Sequence, residues 1–530
     1  MVAHPPIIKY NRMKQSDRTG QQSSKHKHGL PMNEQPQSIH ERDSETERTR
    51  PTTSRRRFLQ AAAGAGIVVA SGGVVGHAAA DSHTNTLPSL RRNGNLIETP
   101  DGETVELHGV NIADPKRVDV TASVRGKDAV QTIDLATDGS RGWHADVVRL
   151  PVQPVDIGEH EAGTGPEPPA FDESQLQSYL EDHLDPAVER CGENGAYAII
   201  DYHRHRDIPW TNAALGEEVQ LFWDIVAARY GEMNHVIFEV YNEPQGNPNY
   251  GVSGQELVDF WSEWKSTAQP WVDTIREYSK NLVLVGSPRW SQMTFGAVIE
   301  EFDGDNLGYT LHLYPAHGPT TPADYDDFVT PPNDGGGAVP YDDETPAWEV
   351  TPVFMTEWGF DYDAGPAAGG GVNEETAAGA DWAEYDPDYG HHVTEWLSTR
   401  PVHSTAWEFD VLWDPSMFTR GFDVPDDESW SPYTDGSIPE YVTDRPAEWE
   451  LQTGGGYMGD TVKQFLRRDP DNDGRIEDVT GDGETTIGDV RRLLNNRDSE
   501  GVQTHAHAYD FNGDGTVNAG DVLALFREIY

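Results

Sequence analysis

Eight short apolar runs recur through the middle of the chain, each followed by a longer amphipathic stretch, and this alternation restricts the fold more than any other feature. The runs are "VELHGVNI" (105–112), "ADVVRLPV" (145–152), "AYAIIDYH" (196–203), "HVIFEVYNE" (235–243), "NLVLVGS" (281–287), "LGYTLHLY" (307–314), "PVFMTEWG" (352–359) and "STAWEFD" (404–410). Between them lie segments such as "SQLQSYLEDHLDPAVERCGENG" and "EEVQLFWDIVAARYGE", where apolar residues return at the three- and four-residue spacing of a helix. Eight strand-helix units predict an α/β chain folded as a (β/α)8 TIM barrel. An open doubly wound sheet would use fewer strands and a Gly-rich phosphate-binding turn.

In a barrel of this kind the chemistry belongs at the carboxyl ends of the strands. Arg149, His203, Asn242 with Glu243, His312 with Tyr314, Glu357 and Trp407 all fall at the tails of apolar runs. Singly, each reads as well as a core histidine, a buried ion pair or a packing tryptophan; it is their joint arrival at run ends that points to a site. Glu243 and Glu357 lie at the ends of the fourth and seventh runs and are expected to face one another across the mouth. Glycoside hydrolysis needs such a pair, one carboxyl to protonate the leaving oxygen and one to attack the anomeric carbon, and retention of configuration sets them roughly 5 to 5.5 Å apart. Asn242 suits the hydroxyl beside the reacting carbon. Arg149 and Tyr314 suit the task of keeping Glu357 ionised, since a nearby cation lowers a carboxylate pKa. His203 and His312 can bind sugar hydroxyls or tune the acid, and Trp407 offers a flat apolar face to a pyranose ring.

This set of residues resembles glycoside hydrolase family 5. The family's pattern of Arg, His, Asn-Glu, His-x-Tyr, Glu and Trp is met by Arg149, His203, Asn242-Glu243, His312-Tyr314, Glu357 and Trp407, and the resemblance covers residues 90–455. "NEP" at 242–244 together with "TEWG" at 356–359 carries most of its specificity. The resemblance implies a retaining double displacement with Glu243 as acid/base and Glu357 as nucleophile, and no cofactor for catalysis. A pair drawn from acidic segments such as "DYDD" (324–327) has no apolar strand behind it and reads as solvated surface. Trp210, Trp290, Trp358 and Trp413 follow or end apolar runs and stand as candidate sugar platforms. Insertions rich in Gly, Pro and Asp at 315–350 and 361–390 are expected to wall the cleft. The resemblance favours an endo-β-1,4-glucanase, with an endo-β-1,4-mannanase as the alternative, because the two sugars differ at one hydroxyl that only a folded subsite reads. A barrel that binds carbohydrate without cleaving it is the third reading, and the intact carboxylate pair speaks against it.

The C-terminus carries an internal repeat. "DVTGDGETTIGDVRRLL" and "DFNGDGTVNAGDVLALF" align in phase, starting at Asp478 and Asp510. Each sets oxygen ligands at loop positions 1, 3, 5 and 12, namely Asp478, Thr480, Asp482 and Asp489, then Asp510, Asn512, Asp514 and Asp521. Gly483 and Gly515 supply the sharp turn at position 6, and Glu484 and Thr516 can offer backbone carbonyls, the arrangement of a calcium loop. Each loop leads into a helix rich in Val and Leu. The paired units resemble a dockerin module over residues 469–530, a small all-α calcium-loop unit that binds Ca2+ and that in its relatives pairs with a cohesin. Thr480 departs from the usual Asn or Asp, and the Ile487-Gly488 and Ala519-Gly520 pairs depart from familiar recognition pairs. Loss of helix on calcium removal is expected.

The chain has 90 acidic against 39 basic residues, a formal net charge of −51, yet 36% of its residues are hydrophobic and 10% aromatic, enough to fill a core. After residue 80 its only lysines are Lys116, Lys127, Lys265, Lys280 and Lys463. Such a composition resembles that of proteins from salt-loving archaea, where salt screens the self-repulsion. It also argues against nucleic acid, whose phosphates it would repel. Cys191 is the single cysteine, which rules out an intramolecular disulfide and a cysteine-based zinc cluster. "TSRRRFLQAAAGAGIVVASGGVVGHAAA" (53–80) resembles a twin-arginine export signal through Ser54, Arg55, Arg56, Phe58 and Leu59, with cleavage expected near Ala80 and an extracellular product. Its apolar stretch is short and mild for a membrane anchor. The expected organisation is a disordered extension over 1–52, the signal over 53–80, the catalytic barrel over 90–458 and the calcium module over 469–530.

Overall fold

A computed structural model of the chain describes residues 87–160, 165–204, 208–245, 253–317, 319, 321–333, 337–360, 389–413, 415–419, 449–451, 457–469, 475–480, 485–499, 502–503 and 505–530. Among them, eight strands close into a parallel barrel in chain order: β1 (His108–Asn111), β2 (Val147–Val152), β3 (Tyr197–Tyr202), β4 (Val236–Glu239), β5 (Val283–Val285), β6 (Leu307–Leu313), β7 (Val353–Trp358) and β8 (Val402–Ala406). Each pairs with its sequence neighbours, and β8 closes on β1. Almost every strand residue is buried, because helices cover one face and the barrel interior the other, and this is why the runs read as continuous apolar sequence.

The two-residue period of the strands sorts side chains into two cores. Val148, Leu150, Ala198, Ile200, Val236 and Phe238 pack outward under the helices. Val147, Tyr197, Ile199, Ile237, Leu284 and Phe354 fill the base of the barrel together with Leu90, Ile97 and Leu107. A small antiparallel sheet, Arg91–Asn93 with Leu96–Glu98 and Thr104–Val105, supplies Ile97 to that base. At Gly109 an added Cβ would stand 1.7 Å from the Val147 carbonyl oxygen, so only glycine lets β1 approach β2 this closely. Of the outer helices, Ala213–Tyr230 and Gln255–Tyr278 bury Trp223, Trp261, Trp264 and Trp271. The first of these is capped by Asn212, whose side chain accepts the Ala214 and Leu215 N–H groups. Cys191 packs inside helix Asp185–Glu193, where burial pushes its thiol up to about 12, so it is a packing residue.

Three boundaries and one segment differ from expectation. The fourth run is strand only to Glu239. Beyond it Val240 N–H still reaches the Leu284 carbonyl at 2.9 Å, but Asn242 N–H crosses to Tyr202 at 3.1 Å. The chain thus leaves β5 and swings toward β3, and Glu243 stands past the sheet. The eighth strand starts two residues earlier than expected and ends at Ala406, which puts Trp407 just beyond it. "DYDD" is only partly solvated surface: it forms most of helix Pro322–Phe328, Asp327 is exposed, and Asp326 accepts the indole N–H groups of Trp348 at 2.9 Å and Trp396 at 2.8 Å while pairing with Arg400 at 2.8 Å. The segment 53–80 and most of the 361–390 insertion lie outside the described residues.

After the barrel, helix Met458–Leu466 buries Met458, Val462, Phe465 and Leu466 in the main core. Helices Ile487–Asn496 and Ala519–Ile529 follow, packed around Val490, Leu493, Tyr509, Val522 and Leu525. None of the described helices is long and apolar enough to cross a membrane.

Candidate active site

The residues at the carboxyl ends of the strands meet around one cation. Arg149 on β2 points inward two positions above Val147. Its guanidinium donates to Glu239 through Nε at 2.6 Å and Nη2 at 3.1 Å, to Asn111 Oδ1 at 3.0 Å, to Glu357 Oε1 at 2.8 Å and to Asn242 Oδ1 at 2.7 Å. Asp201 Oδ2 lies 2.9 Å from the same group. Sheet register explains the convergence: Asn111 is opposite Arg149, Asp201 opposite Glu239, and His312 opposite Glu357. A register shift between Phe354 and Glu357 turns two neighbours, Thr356 and Glu357, toward the site together.

Glu357 is fixed from a second side by Tyr314, whose hydroxyl donates to Oε2 at 2.9 Å. His312 stands between the two candidate catalytic carboxyls, with Nδ1 at 2.9 Å from Glu243 Oε1 and 3.4 Å from Glu357 Oε2. Its Nε2 faces Thr356 Oγ1 at 3.0 Å. One oxygen of Glu243, one of Glu357 and a ring nitrogen of His312 all lie within 4.8 Å of one another. Glu357 is the deeper carboxylate and Glu243 the more exposed, their side chains being 6% and 15% accessible. Asn242 is fully buried; its Oδ1 is taken by Arg149, and its Nδ2 has no acceptor among the described residues.

The charges balance through proximity. Burial opposes the charge on Arg149, but Asp201, Glu239 and Glu357 outweigh it and raise its pKa well above the ordinary value. Burial likewise opposes the charge on His312, and Glu357, Glu239 and Glu243 reverse that, holding the imidazolium up to about 10. Glu239 would be raised by burial but is held low by Arg149 and His312. Asp201 is pushed well above the usual carboxylate range by burial and by Glu239 and Glu357, against the pull of Arg149. Burial, with Glu357 and Glu243, keeps the Tyr314 hydroxyl protonated.

His203, just past β3, bonds Asp201 through Nδ1 at 2.6 Å, and Trp407 lies parallel to its ring with centroids 5.4 Å apart. Trp413 continues this aromatic surface 5.9 Å from Trp407. Trp290 is half-buried on a turn of three left-handed residues, Arg289, Trp290 and Ser291, and Ser291 Oγ donates to the Asn242 carbonyl at 2.6 Å. Trp210 and Trp358 depart from expectation: at 4% and 1% exposure they belong to the core, packed edge-on against Phe260 and Trp264, and against Phe465. Both end or follow runs whose outward faces lie under helices, so position near a strand end did not make them accessible. The sequence reading missed Asp201, Glu239 and Asn111. The signal was present, since an acid inside "AIIDY" or "VIFEV" has no reason to interrupt an apolar run unless it faces a buried partner.

In the C-terminal repeat, Asp521 accepts Asn512 N–H at 3.1 Å and Asn518 N–H at 2.7 Å, while Asp510 accepts Asp514 N–H at 3.1 Å and Gly515 N–H at 2.7 Å. Gly515 is left-handed at φ 81°, as position 6 requires, and Asp514 accepts the Thr516 N–H and hydroxyl. The first loop closes similarly through Asp489, but the Thr480 hydroxyl lies 2.8 Å from its Oδ1 and 3.1 Å from Asp478 Oδ1. Oxygen donors and glycine turn fit a calcium ion, although the loop carboxylates are engaged with the loop's own N–H groups. Asp482 and Glu484 lie outside the described residues.

The family model described as Cellulase (glycosyl hydrolase family 5) matches residues 100–401, and the Dockerin type I domain model matches residues 469–530. An endoglucanase of Halalkalibacter akibai is 29% identical over 230 residues, which is 42% of this chain and 27% of that protein. An endoglucanase of a Bacillus species is 26% identical over 306 residues, 54% of this chain and 28% of that protein. The chain thus spans about a quarter of the length of these relatives. Among solved structures, a β-glucanase from Saccharophagus degradans in complex with cellotetraose aligns with TM-score 0.49 and 19% identity, over 72% of this chain and 94% of that one. With more than half of its length matched by that family model, the chain belongs to the cellulases of glycosyl hydrolase family 5.

Proposed function

We propose that the barrel, over 90–458, is a retaining endo-β-1,4-glucanase in which Glu357 is the nucleophile and Glu243 the acid/base. The observation that carries this reading is the approach of a Glu243 oxygen to within 4.8 Å of a Glu357 oxygen, with His312 between them. An approach of this order supports retention, since the carboxyls of an inverting enzyme stand further apart to admit a water. Arg149 and Tyr314 each donate to one oxygen of Glu357, which orients the attacking group. Two cations, Arg149 and His312, face four carboxyls, Asp201, Glu239, Glu243 and Glu357. Of the two carboxyls in contact with His312, Glu243 is the more exposed, which suits it to exchange a proton with the leaving oxygen and with water.

In the first step Glu357 attacks the anomeric carbon while Glu243 gives its proton to the departing glycosidic oxygen, forming a glycosyl ester and releasing one chain end. In the second, Glu243 takes a proton from water as that water attacks the same carbon, freeing Glu357 and a sugar of retained configuration. The free Nδ2 of Asn242 is available to the 2-hydroxyl, and the half-buried Trp413 and Trp290 are available to stack on sugar rings, while Trp407, 5% exposed, offers only its edge of the stack with His203 and Trp413. The glucan preference rests on the names of the relatives. Residues 469–530 would bind Ca2+ and serve to attach the enzyme to a cohesin-bearing partner, and 53–80 would direct export.

Glu243→Gln and Glu357→Gln, assayed in molar salt on carboxymethylcellulose, lichenan, mannan and xylan, test the reading. Each is expected to lose at least about 100-fold in rate. Retention of the wild-type rate by both would overturn the site assignment, and a wild-type preference for mannan would overturn the substrate.

A further inference from the structure

A second cluster of metal-ligating side chains lies at the opposite, amino-terminal end of the strands, where the C-terminal module meets the barrel. Glu106, two residues before β1, is buried, and its Oε2 receives Nε2 of the buried His505 and, at 3.0 Å, Nε2 of the half-buried His507. These three atoms lie within 4.8 Å of one another although 399 residues separate Glu106 from His505. We propose that Glu106, His505 and His507 bind a divalent transition-metal ion of the zinc class, which ties the C-terminal module to the base of the barrel.

The surroundings orient the three groups as ligands. His505 Nδ1 sits 2.8 Å from the Ser398 carbonyl oxygen, which can only accept, so that nitrogen keeps its proton, and Nε2, which donates to Glu106, is the nitrogen that would release its proton to an incoming ion. A backbone carbonyl behind the far nitrogen is the usual support of a metal-bound imidazole. His108 plays the corresponding part for the carboxylate, with its Nε2 at 3.0 Å from Glu106 Oε1 and its Nδ1 at 2.9 Å from Ser404 Oγ, which leaves Oε2 to the ion. Tyr509 donates to the same Ser398 carbonyl at 3.1 Å and fixes the segment that carries both histidines. In a tetrahedral zinc site, with ligands at about 2 Å from the ion, neighbouring ligand atoms are ~3.3 Å apart, so small side-chain rotations suffice.

Two imidazoles and one carboxylate suit zinc or its neighbours in the first transition row, whereas calcium takes oxygen alone. This centre is therefore chemically distinct from the repeat loops, and calcium in excess would not fill it. It also belongs to the contact between barrel and module rather than to either alone, since the carboxylate comes from one and both imidazoles from the other.

The test uses the full chain with calcium in excess and Co2+ as a spectroscopic probe. The expected result is one equivalent of Co2+ giving a visible d–d band, displaced by Zn2+, with affinity reduced at least about 10-fold in His507→Ala and in Glu106→Gln, each checked for fold by circular dichroism. Glu243→Gln should leave the band unchanged. No band beyond that of free Co2+, or a band of equal midpoint in wild type, His507→Ala and Glu106→Gln, overturns the proposal. So does a band lost in Glu243→Gln, which would put the ion at the barrel mouth.

Discussion

His312 is the residue through which pH reaches the site. Its imidazole is fully buried, and burial alone would discharge it, but Glu357, Glu239 and Glu243 hold the charge up to about 10 against 6.5 for the ordinary ring. A cation whose pKa is raised by folding adds stability that is complete below the unfolded value and is lost as pH climbs through the folded one. The thermal midpoint is therefore expected to fall as pH rises from about 6.5 to about 10. His505, raised through Glu106 despite its burial, contributes with the same sign, so the readout is the difference between wild type and His312→Gln measured over that range. The variant should show the shallower slope; an equally steep one would assign the effect to other groups. At this scale the sequence was legible where several polar residues end apolar runs together, and the structure brings Glu243, Glu357, His312 and Arg149 to one place. It was not legible for Trp210 and Trp358, because an indole serves a core and a sugar platform equally well and only solvent access separates the two.

At the scale of elements, the strand runs were legible because burial on both faces makes them continuous and apolar, while their ends were not. The fourth run continues apolar through Val240 and Tyr241, both buried, although the ladder has already ended at Glu239. Hydrophobicity reports burial, and burial outlasts sheet pairing wherever a loop folds back over the mouth. The loop after β8 shows what holds such a segment. Asp410 receives Arg125 through two bonds of 2.8 Å, both side chains being buried, and its Oδ2 also accepts Trp413 N–H at 3.1 Å. This one carboxylate thus ties helix Ala122–Arg125 to the loop that presents Trp413. Replacing it strands a buried guanidinium, which costs about 3 to 5 kcal/mol when one partner of a buried pair is removed. Asp410→Asn is expected to lower stability by that order in denaturant titration and to raise KM through displacement of Trp413. Loss of stability with KM unchanged would show that Trp413 takes no part in binding.

For the whole molecule, charge is the term that packing does not settle. The chain carries 90 acidic and 39 basic residues, and the structure commits several of the cations indoors, with Arg149, Arg125 and Arg117 buried against acidic partners. Each of these cations takes at least one carboxylate inside with it, so the exposed surface keeps the large excess of acid that the formal −51 describes. Those charges repel across a distance set by the screening length, about 10 Å at 0.1 M salt and about 3 Å at 1 M. Dilution therefore restores repulsion between neighbouring surface carboxylates while the buried pairs, little reached by ions, keep their strength. Stability should then rise with salt by relief of a net repulsion, and by nearly the same amount for any monovalent salt at equal ionic strength. The thermal midpoint is expected to climb steadily from dilute buffer to molar concentrations of sodium, potassium or choline chloride, and hydrolysis of carboxymethylcellulose to follow it reversibly. A rise with potassium but not with choline would point to cations bound at particular carboxylates in place of general screening. Full activity and an unchanged midpoint in dilute buffer would mean that the surface tolerates its charge unaided, and that the acidic composition has no bearing on the stability of the fold.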